Sequence, residues 1–470
     1  MDSTALKETV LEKDSRILPE IMDRVVQYAL DYLRKIDDFP VGRNAPVIPH
    51  DSLSDDSMGL KQAFGRFIDQ YEQLMVASSG PRYFGFVTGG VTPAALMGDW
   101  LTSVFDQNPQ GFQDHGDISA NIERNTITLL LELLRLPESF TGGFVTGATM
   151  ANFSSLAVAR QWVGEQMGKD IAREGMDQKL HILSATPHSS SVKSLAMLGI
   201  GSNNLIKIKV LENREAMDIN DLEQRLTALK GQPAIVISSA GTVNTVDFDD
   251  MQAISTLREK YNFWWHIDAA FGGFVACSSN FSHLLKGWEH ADSITVDCHK
   301  WLNTPYDGAV FLVKKDHATL QVQTFQNSNA PYLGDPLAKC SYLNFLPENS
   351  RRLRALPAWF TLMAYGREGY REIVDNNIKH AQEFARLIRQ SSRFRLLADV
   401  RVNVVAFTLN EQQVEAEKVN NILKKLNERG KVFITPTIMN GNAGFRAAFV
   451  NWRTKMADVE LLMNELDVVS

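Results

Sequence analysis

Cysteine is scarce, with three in 470 residues (Cys277, Cys298 and Cys340) and no CxxC pair among them. That count supports neither a disulfide framework nor a thiolate zinc site, and it suits a reducing compartment. No apolar run is long enough to span a bilayer, and Met1 to Glu20 alternates charge without the apolar stretch of a signal peptide. A basic run is also missing: 48 Lys and Arg stand against 55 Asp and Glu, a formal charge of −7. Nucleic acid is therefore not expected as a partner, nor is a membrane. Internal repeats and low-complexity segments are absent too. The expectation is a soluble, cytoplasmic protein.

What is present is an ordinary globular composition, 44% apolar and 22% charged, with enough chain for one large core and a smaller one. Leu18, Ile21, Val25, Ala29 and Leu33 recur at helical spacing, as do Phe64, Phe67, Tyr71 and Leu74. The polar stretch Phe39 to Ser57 between them reads as an extended connection. A helical arm with such modest apolar faces needs a surface to cover, and a partner subunit is one candidate.

From Gly142 to Val313 short apolar runs alternate with helical segments. The runs are Gly143–Val145, His181–Ala185, Leu205–Val210, Ala234–Ser238, Phe263–Asp268, Ser293–Asp297 and Ala309–Val313; the helices include Ala151–Gln166, Asp221–Leu229 and Met251–Lys260. This alternation predicts an α/β fold with a mainly parallel sheet covered on both faces. The last two runs are joined by a loop too short to require a crossover helix, so a mixed sheet is allowed. After a loop-like stretch, a long helix from about Arg352 to Gln390 leads into a small α+β block. Its elements are Phe394–Ala398, Val402–Leu409, a helix near Val414–Arg429, Phe433–Pro436, Phe445–Val450 and a closing helix. The division expected is an arm over 1–80, a large domain over 81–350 and a small C-terminal domain over 351–470.

Ligands in open α/β sheets bind beyond the carboxyl ends of the strands, so the residues following each run matter most. Thr146-Gly147-Ala148-Thr149 follows the first run and opens a helix, whose free N–H groups and dipole suit a phosphate. Gly142 to Gly147 has a P-loop outline, but Ala148-Thr149 stand where Lys-Ser/Thr is needed, which removes the cation of nucleotide hydrolysis. Gly199-Ile200-Gly201-Ser202 lacks the third glycine of a dinucleotide fingerprint and reads as a turn. The second run leads into Thr186-Pro187-His188-Ser189-Ser190. The fifth ends at Asp268 and continues Ala269-Ala270, and the sixth delivers Cys298-His299-Lys300-Trp301. An aspartate closing an apolar strand is costly unless its charge finds a partner. One sheet edge thus collects an anion-binding turn, an imidazole, a carboxylate and an amine, matching the phosphate, ring, ring nitrogen and aldehyde of pyridoxal 5′-phosphate.

These residues resemble the group II pyridoxal-phosphate-dependent amino-acid decarboxylases, which include aromatic L-amino-acid, glutamate, cysteine-sulfinate and histidine decarboxylases. The resemblance runs from about Pro81 to Arg446. Its strongest segments are Pro81-Arg82-Tyr83-Phe84-Gly85, Thr146 to Asn152, His188 to Lys193, His266-Ile267-Asp268-Ala269-Ala270, His299-Lys300-Trp301-Leu302 and Arg351 to Leu356. Lys300 follows Asp268 by 32 residues, and that paired motif is the most specific of them. The resemblance implies the fold type I architecture of PLP-dependent transferases: a helical arm, a seven-stranded large domain, a small C-terminal domain and a homodimer with its sites at the interface. It also implies that Lys300 bonds the cofactor, that His188 stacks on its ring with Ala270 on the other face, and that Asp268 pairs with the ring nitrogen. Gly147, Ala148 and Thr149 would then bind phosphate with His299 close by, and Tyr332 of a mobile loop would reprotonate the α-carbon. Relatives with phenylalanine in place of that tyrosine tend towards oxidative aldehyde formation.

Two departures stand out. The family often reads Gly-Thr-Thr-x-x-Gly where this chain has Gly241-Thr242-Val243-Asn244-Thr245-Val246, and Pro357-Ala358-Trp359 replaces the Leu-Lys-x-Trp of the animal enzymes. Thr242 and Asn244 are accordingly weaker site candidates, and the substrates of the animal enzymes do not transfer. For the substrate side chain, Tyr83, Phe84, Phe86 and Phe105 are the candidate pocket wall for an aromatic ring, with core packing as the alternative. Arg82 is instead the candidate partner of a distal carboxylate, as glutamate, aspartate or cysteine sulfinate would require. An aromatic L-amino acid is the first expectation. An oxidative aldehyde-forming enzyme and a non-catalytic dimeric scaffold are the rivals.

Overall fold

The alternating apolar runs fold into one seven-stranded sheet in the computed structural model, which describes residues 8–44, 47, 50–111, 117–326 and 341–470. Its strands are β1 (Phe140–Val145), β2 (His181–Ser184), β3 (Leu205–Lys207), β4 (Ala234–Ser239), β5 (Phe263–Asp268), β6 (Ser293–Asp297) and β7 (Ala309–Lys314), in the order β1-β7-β6-β5-β4-β2-β3. β7 pairs antiparallel with both β6 and β1, while the remaining pairings are parallel. The sheet is therefore mixed, as the short β6–β7 connection allows. The carboxyl ends of β1, β2, β4, β5 and β6 share one edge.

Period-two alternation divides the strand side chains between two cores. Ile235, Ile237, Trp264 and Phe311 face one cluster with Leu156 and Val163 of α5 (Ala148–Gln166), and Leu195 of α7 (Ser189–Met197) joins them. Val236, Trp265, Ile267, Ile294 and Leu312 face the other, packed with Leu130 and Leu134 of α4 (Ser119–Leu134) and with α8 (Ile219–Ala228) and α9 (Met251–Leu257). Strands buried on both sides need no polar alternation, and β4, β5 and β6 are buried throughout. Upstream lie α1 (Val10–Arg34), α2 (Gly59–Gln70) and α3 (Pro93–Phe105); α6 (Ile171–Glu174), α10 (Ala318–Phe325) and α11 (Tyr342–Phe345) are short connectors.

The long helix expected over about 352–390 is α12 (Ala355–Gln390), but it is two helices joined at Gly366, whose φ is 55° and ψ −163°. That left-handed residue breaks the hydrogen-bond ladder, which an unbroken apolar periodicity does not reveal. The last block forms a four-stranded antiparallel sheet, β8 (Phe394–Leu396), β9 (Val404–Leu409), β10 (Thr435–Met439) and β11 (Asn442–Ala448), in the order β10-β11-β9-β8. Both β10 and β11 are displaced from the runs expected for them. The cause is a hairpin turn at Asn440-Gly441, where φ is 49° and 76°, closing the Met439–Asn442 pair. Phe384, Phe394, Phe407, Phe445 and Phe449 fill the core beneath this sheet with α13 (Ala416–Arg429) and α14 (Met456–Val469).

One ion pair ties the end of β1 to the chain preceding α12. Arg351 donates to Glu123 Oε1 at 2.9 Å and to the carbonyls of Phe144 and Pro109, while Glu123 accepts the Phe144 N–H at 2.8 Å. Both side chains are almost fully buried, whereas the neighbouring Arg352–Asp99 pair is open to solvent. Replacing one partner of a buried pair strands the other charge, so Arg351→Leu is expected to cost about 3–5 kcal/mol. Arg352→Ala is expected to cost about 0.2–1 kcal/mol. Denaturant unfolding of the two variants measures both.

Candidate active site

Parallel strands deliver four sequence candidates to one edge. β1 ends at Val145 and, after Thr146, Gly147 caps α5, with Ala148 and Thr149 in its first turn. β2 leads to His188, the N-cap of α7; β5 ends at Asp268; β6 ends at Asp297, three residues before Lys300. Lys300 Nζ lies 2.8 Å from Asp297 Oδ2 and over the Phe271 ring. His299 Cε1 stands 3.4 Å from the position of a β-carbon on Gly147, which brings the imidazole to the helix N-terminus. The His299 ring stacks on Tyr306 at 4.3 Å and accepts the Gly308 N–H at Nδ1, 3.2 Å away.

Asp268 is 7% exposed. Its Oδ2 accepts from Asn152 Nδ2 at 2.9 Å and Ser191 Oγ at 3.2 Å, and Oδ1 accepts the Ala270 N–H at 3.2 Å. Burial opposes charge on this carboxyl, yet His188 when its ring is protonated, Lys300 and the Asn152 amide outweigh it and hold the group below the ordinary carboxylate range. His188 keeps one side open to solvent, but the protein around it lowers its imidazole from the ordinary value by partial loss of water, against the pull of Asp268. Beneath them His266 is wholly buried and is pushed down to about 4 by loss of solvent, with Asp268 opposing.

These residues fit pyridoxal phosphate by their donor chemistry. The first turn of α5 offers unpaired N–H groups for a phosphate, Asp268 offers a carboxylate held charged, His188 a flat ring and Lys300 a primary amine. Among the described residues no cluster of metal-binding side chains occurs.

The pocket-wall candidates separate. Phe84 is buried against Phe449 in the core of the small sheet. Tyr83 stacks on Phe433 at 4.6 Å; Phe86 is exposed, with φ 52°; and Phe105 is exposed at the end of α3. Arg82 does not present a free guanidinium: Nε donates to Asp458 Oδ1 at 2.9 Å and a terminal nitrogen to the Asp37 carbonyl at 2.7 Å. An arginine followed by aromatics reads alike in a pocket and in a junction between elements, and here the junction prevails. Tyr332 lies outside the described residues.

Three site features escaped the sequence reading. Arg446 on β11 is 6% exposed and donates to the carbonyls of Val243 (2.7 Å) and Phe86, while its Nε has no partner. Burial pushes this guanidinium down to about 10, with Glu215 opposing, and its charge reaches His188. Glu215 is the second: it accepts from Thr242 Oγ1 at 2.6 Å and Asn244 Nδ2 at 3.0 Å, the two weaker candidates of the sequence. Gly89 passes so close to the lysine turn that a β-carbon there would meet Lys300 O at 1.9 Å. The Thr88-Gly89-Gly90 run was the available signal for the last.

A family model described as the pyridoxal-dependent decarboxylase conserved domain matches residues 54–410. An aromatic-L-amino-acid decarboxylase of Bacillus atrophaeus is 26% identical over 404 residues, covering 83% of this chain and 81% of its own. A phenylacetaldehyde synthase of Arabidopsis thaliana is 26% identical over 467 residues, covering 93% and 92%. Among solved structures, tryptophan decarboxylase of Catharanthus roseus in complex with L-tryptophan superposes with a TM-score of 0.84 at 22% identity, over 96% of this chain and 98% of that one. The glutamate decarboxylase domain of a Vibrio parahaemolyticus protein does so with 0.82 at 21%, over 95% of each.

Two outcomes are expected. Gly89→Ala must push the Lys300 backbone aside, so cofactor titration should show loss of binding while circular dichroism still reports a folded chain; overpacking of this kind costs about 1–3 kcal/mol. Imidazole in the unfolded chain takes up its proton near 6.5, but His266 in the fold does so only near 4. Stability is therefore complete above the first value and is lost as pH falls through that window. His266→Gln should flatten this acid limb in unfolding titrations.

Proposed function

The chain belongs to the pyridoxal-dependent decarboxylase family, and we propose that it decarboxylates an aromatic L-amino acid to the amine, as a cytoplasmic homodimer. It is a carboxy-lyase dependent on pyridoxal 5′-phosphate, and the fold type I sheet carries the expected groups on one edge. The observation that carries the reading is the convergence of Lys300, Asp268 and His188 beside the α5 N-terminus.

Pyridoxal phosphate, when bound, supplies an electron sink for the charge left on the α-carbon. Asp268 would keep a proton on the ring nitrogen, the role for which a carboxylate held charged is suited. His188 and Ala270 would bracket the ring, and Lys300 Nζ would hold the cofactor covalently. Gly147, Ala148, Thr149 and His299 would take the phosphate. Arg446, a buried guanidinium with its Nε unpaired, is the group suited to orient the substrate's α-carboxylate. Tyr332 would return a proton to the α-carbon, a role resting on its place in the sequence.

For the side chain, relatives named for aromatic-L-amino-acid, tyrosine and tryptophan decarboxylation support an aromatic ring. The acidic alternative loses its cation, because Arg82 is engaged with Asp458. Tyr83 remains near the lysine turn: Tyr306, stacked on His299, contributes to the rise of the Tyr83 phenol above its ordinary value, after burial. Support for a dimer comes from apolar side chains left uncovered. Of the 25 residues of α1 only Ile21 is buried, with Leu11 81% exposed, and α3 presents Met97, Val104 and Phe105 to solvent.

The purified protein should be yellow, and borohydride treatment followed by peptide mapping should place the pyridoxyl group on Lys300. Lys300→Ala should abolish both the colour and the turnover. With a panel of the twenty L-amino acids, carbon dioxide and amine should appear in equal amounts from aromatic substrates. Turnover confined to acidic ones would overturn the substrate assignment, and aldehyde with peroxide would overturn the role of Tyr332. Sedimentation should give a dimer.

A further inference from the structure

A hydrogen-bonded chain runs from Trp264 through the buried side chains of Ser293, His266, Asn152 and Ser190 to His188 at the surface, and its proton positions are determined from both ends. Asp268 is a carboxylate and only accepts, so Asn152 must turn its amide nitrogen towards it, 2.9 Å from Oδ2. Asn152 Oδ1 then faces His266 Nε2 at 2.9 Å, and that nitrogen must donate. His266 Nδ1 is left to accept from Ser293 Oγ at 2.9 Å. Trp264 Nε1, a donor only, reaches the same hydroxyl at 2.9 Å, so Ser293 accepts from the indole and spends its proton on His266. In the other direction Asn152 Nδ2 donates to Ser190 Oγ at 3.1 Å. Ser190 Oγ lies 2.6 Å from His188 Nδ1, and the Ser190 backbone N–H, which can only donate, lies 3.2 Å from the same nitrogen.

We propose that Asn152 and Ser190 are positioning residues that fix the single proton of neutral His188 on Nε2, locking one tautomer of the ring while holding Asp268 as a carboxylate. Asn152 is the branch point, because one amide serves the carboxylate and the serine at once. It is fully buried, and a residue merely filling space there needs no polar atoms. The Ser190 backbone N–H keeps a proton off His188 Nδ1, and loss of solvent lowers the imidazole in the same sense, with Asp268 pulling the other way, Lys300 assisting, Asp297 opposing and Arg446 on the small sheet assisting. Neutrality of His266, pushed down to about 4, follows from its burial. The consequence for the reaction is that His188 meets its ligand with a defined donor, Nε2–H, and with Nδ1 closed to protons.

This inference deepens the reading of His188 as a cofactor-facing residue. Its main test uses the cofactor-free chain, so its failure is separate from failure of the decarboxylase assignment. Nuclear magnetic resonance of the protein labelled with ¹⁵N-histidine, recorded near neutral pH, should show His188 Nδ1 as an unprotonated nitrogen and Nε2 as a protonated one. Ser190→Ala and Asn152→Leu should let the Nδ1–H tautomer grow in beside the wild-type one, because the short hydroxyl bond or its orienting donor is gone and only the longer backbone bond of 3.2 Å still favours Nε2–H. Ser190→Thr keeps the hydroxyl and should keep the wild-type pattern. Asn152→Leu should also weaken pyridoxal phosphate binding roughly tenfold, as Asp268 loses a charge-assisted bond. A protonated Nδ1 in the wild-type protein would overturn the proposal. So would an unchanged tautomer pattern in Ser190→Ala, a variant that alters one exchangeable hydroxyl and leaves the helix N-terminus in place.

Discussion

The charge of Asp268 is the constraint on which the site depends. A carboxylate at the end of an apolar strand loses its water, and the loss is tolerable only if donors replace it. Those donors come from three directions: Asn152 from α5, Ser191 from α7 and the Ala270 N–H from the chain's own turn. Satisfying one oxygen pair therefore draws two helix starts onto the sheet edge. These are the helices whose N-termini carry the Gly147-Ala148-Thr149 turn and His188. Packing of the hydrophobic cores brings the elements near; the buried carboxylate sets where along the edge they meet.

Much of this was legible in the sequence because parallel strands convert order into position. Once Asp268 closes one run and Lys300 follows the next, their sharing of an edge needs no tertiary detail, and β5 and β6 begin and end where the apolar runs do. What stayed hidden depended on contacts between distant segments. Arg446 belongs to a run that reads only as a strand of the small sheet, and the reach of its charge to His188 arises from how the two sheets meet. Asn152 reads as one more residue of a helix face until Asp268 and His266 are seen on either side of it. Single residues also override periodicity: Asn440-Gly441 is a hairpin pair that resets two strands, and Gly366 divides one periodic stretch into two helices.

The arm and α3 show the limit of reading burial from pattern. Amphipathic spacing says that a face must be covered but not by what. In the single chain α1 buries one residue, and the outer face of α3 keeps Met97 and Val104 in solvent, at spacing that puts both on one stripe. Scattered exposed apolar residues are normal on a monomer, but a stripe on one helix together with a 25-residue helix buried at one position is a different matter. Phe105, expected in a pocket wall, lies exposed at the end of the same helix.

The departure at Val243 shows why motif mismatches need structure to be weighed. A hydroxyl is missing there relative to the common Gly-Thr-Thr pattern, which would matter if the side chain were what the site reads. Arg446 instead reads the Val243 carbonyl, a group present in every residue. The turn is held on its other side by Thr242, Asn244 and Thr245, all bonded to Glu215, and by Thr437 of the small sheet, which donates to Asn244 Oδ1 at 2.8 Å. The polar residues kept at 242 and 244 thus fix the turn's shape, and the shape aims the carbonyl. Valine at 243 then leaves the carbonyl that Arg446 reads in place, since that contact uses no side-chain atom of residue 243.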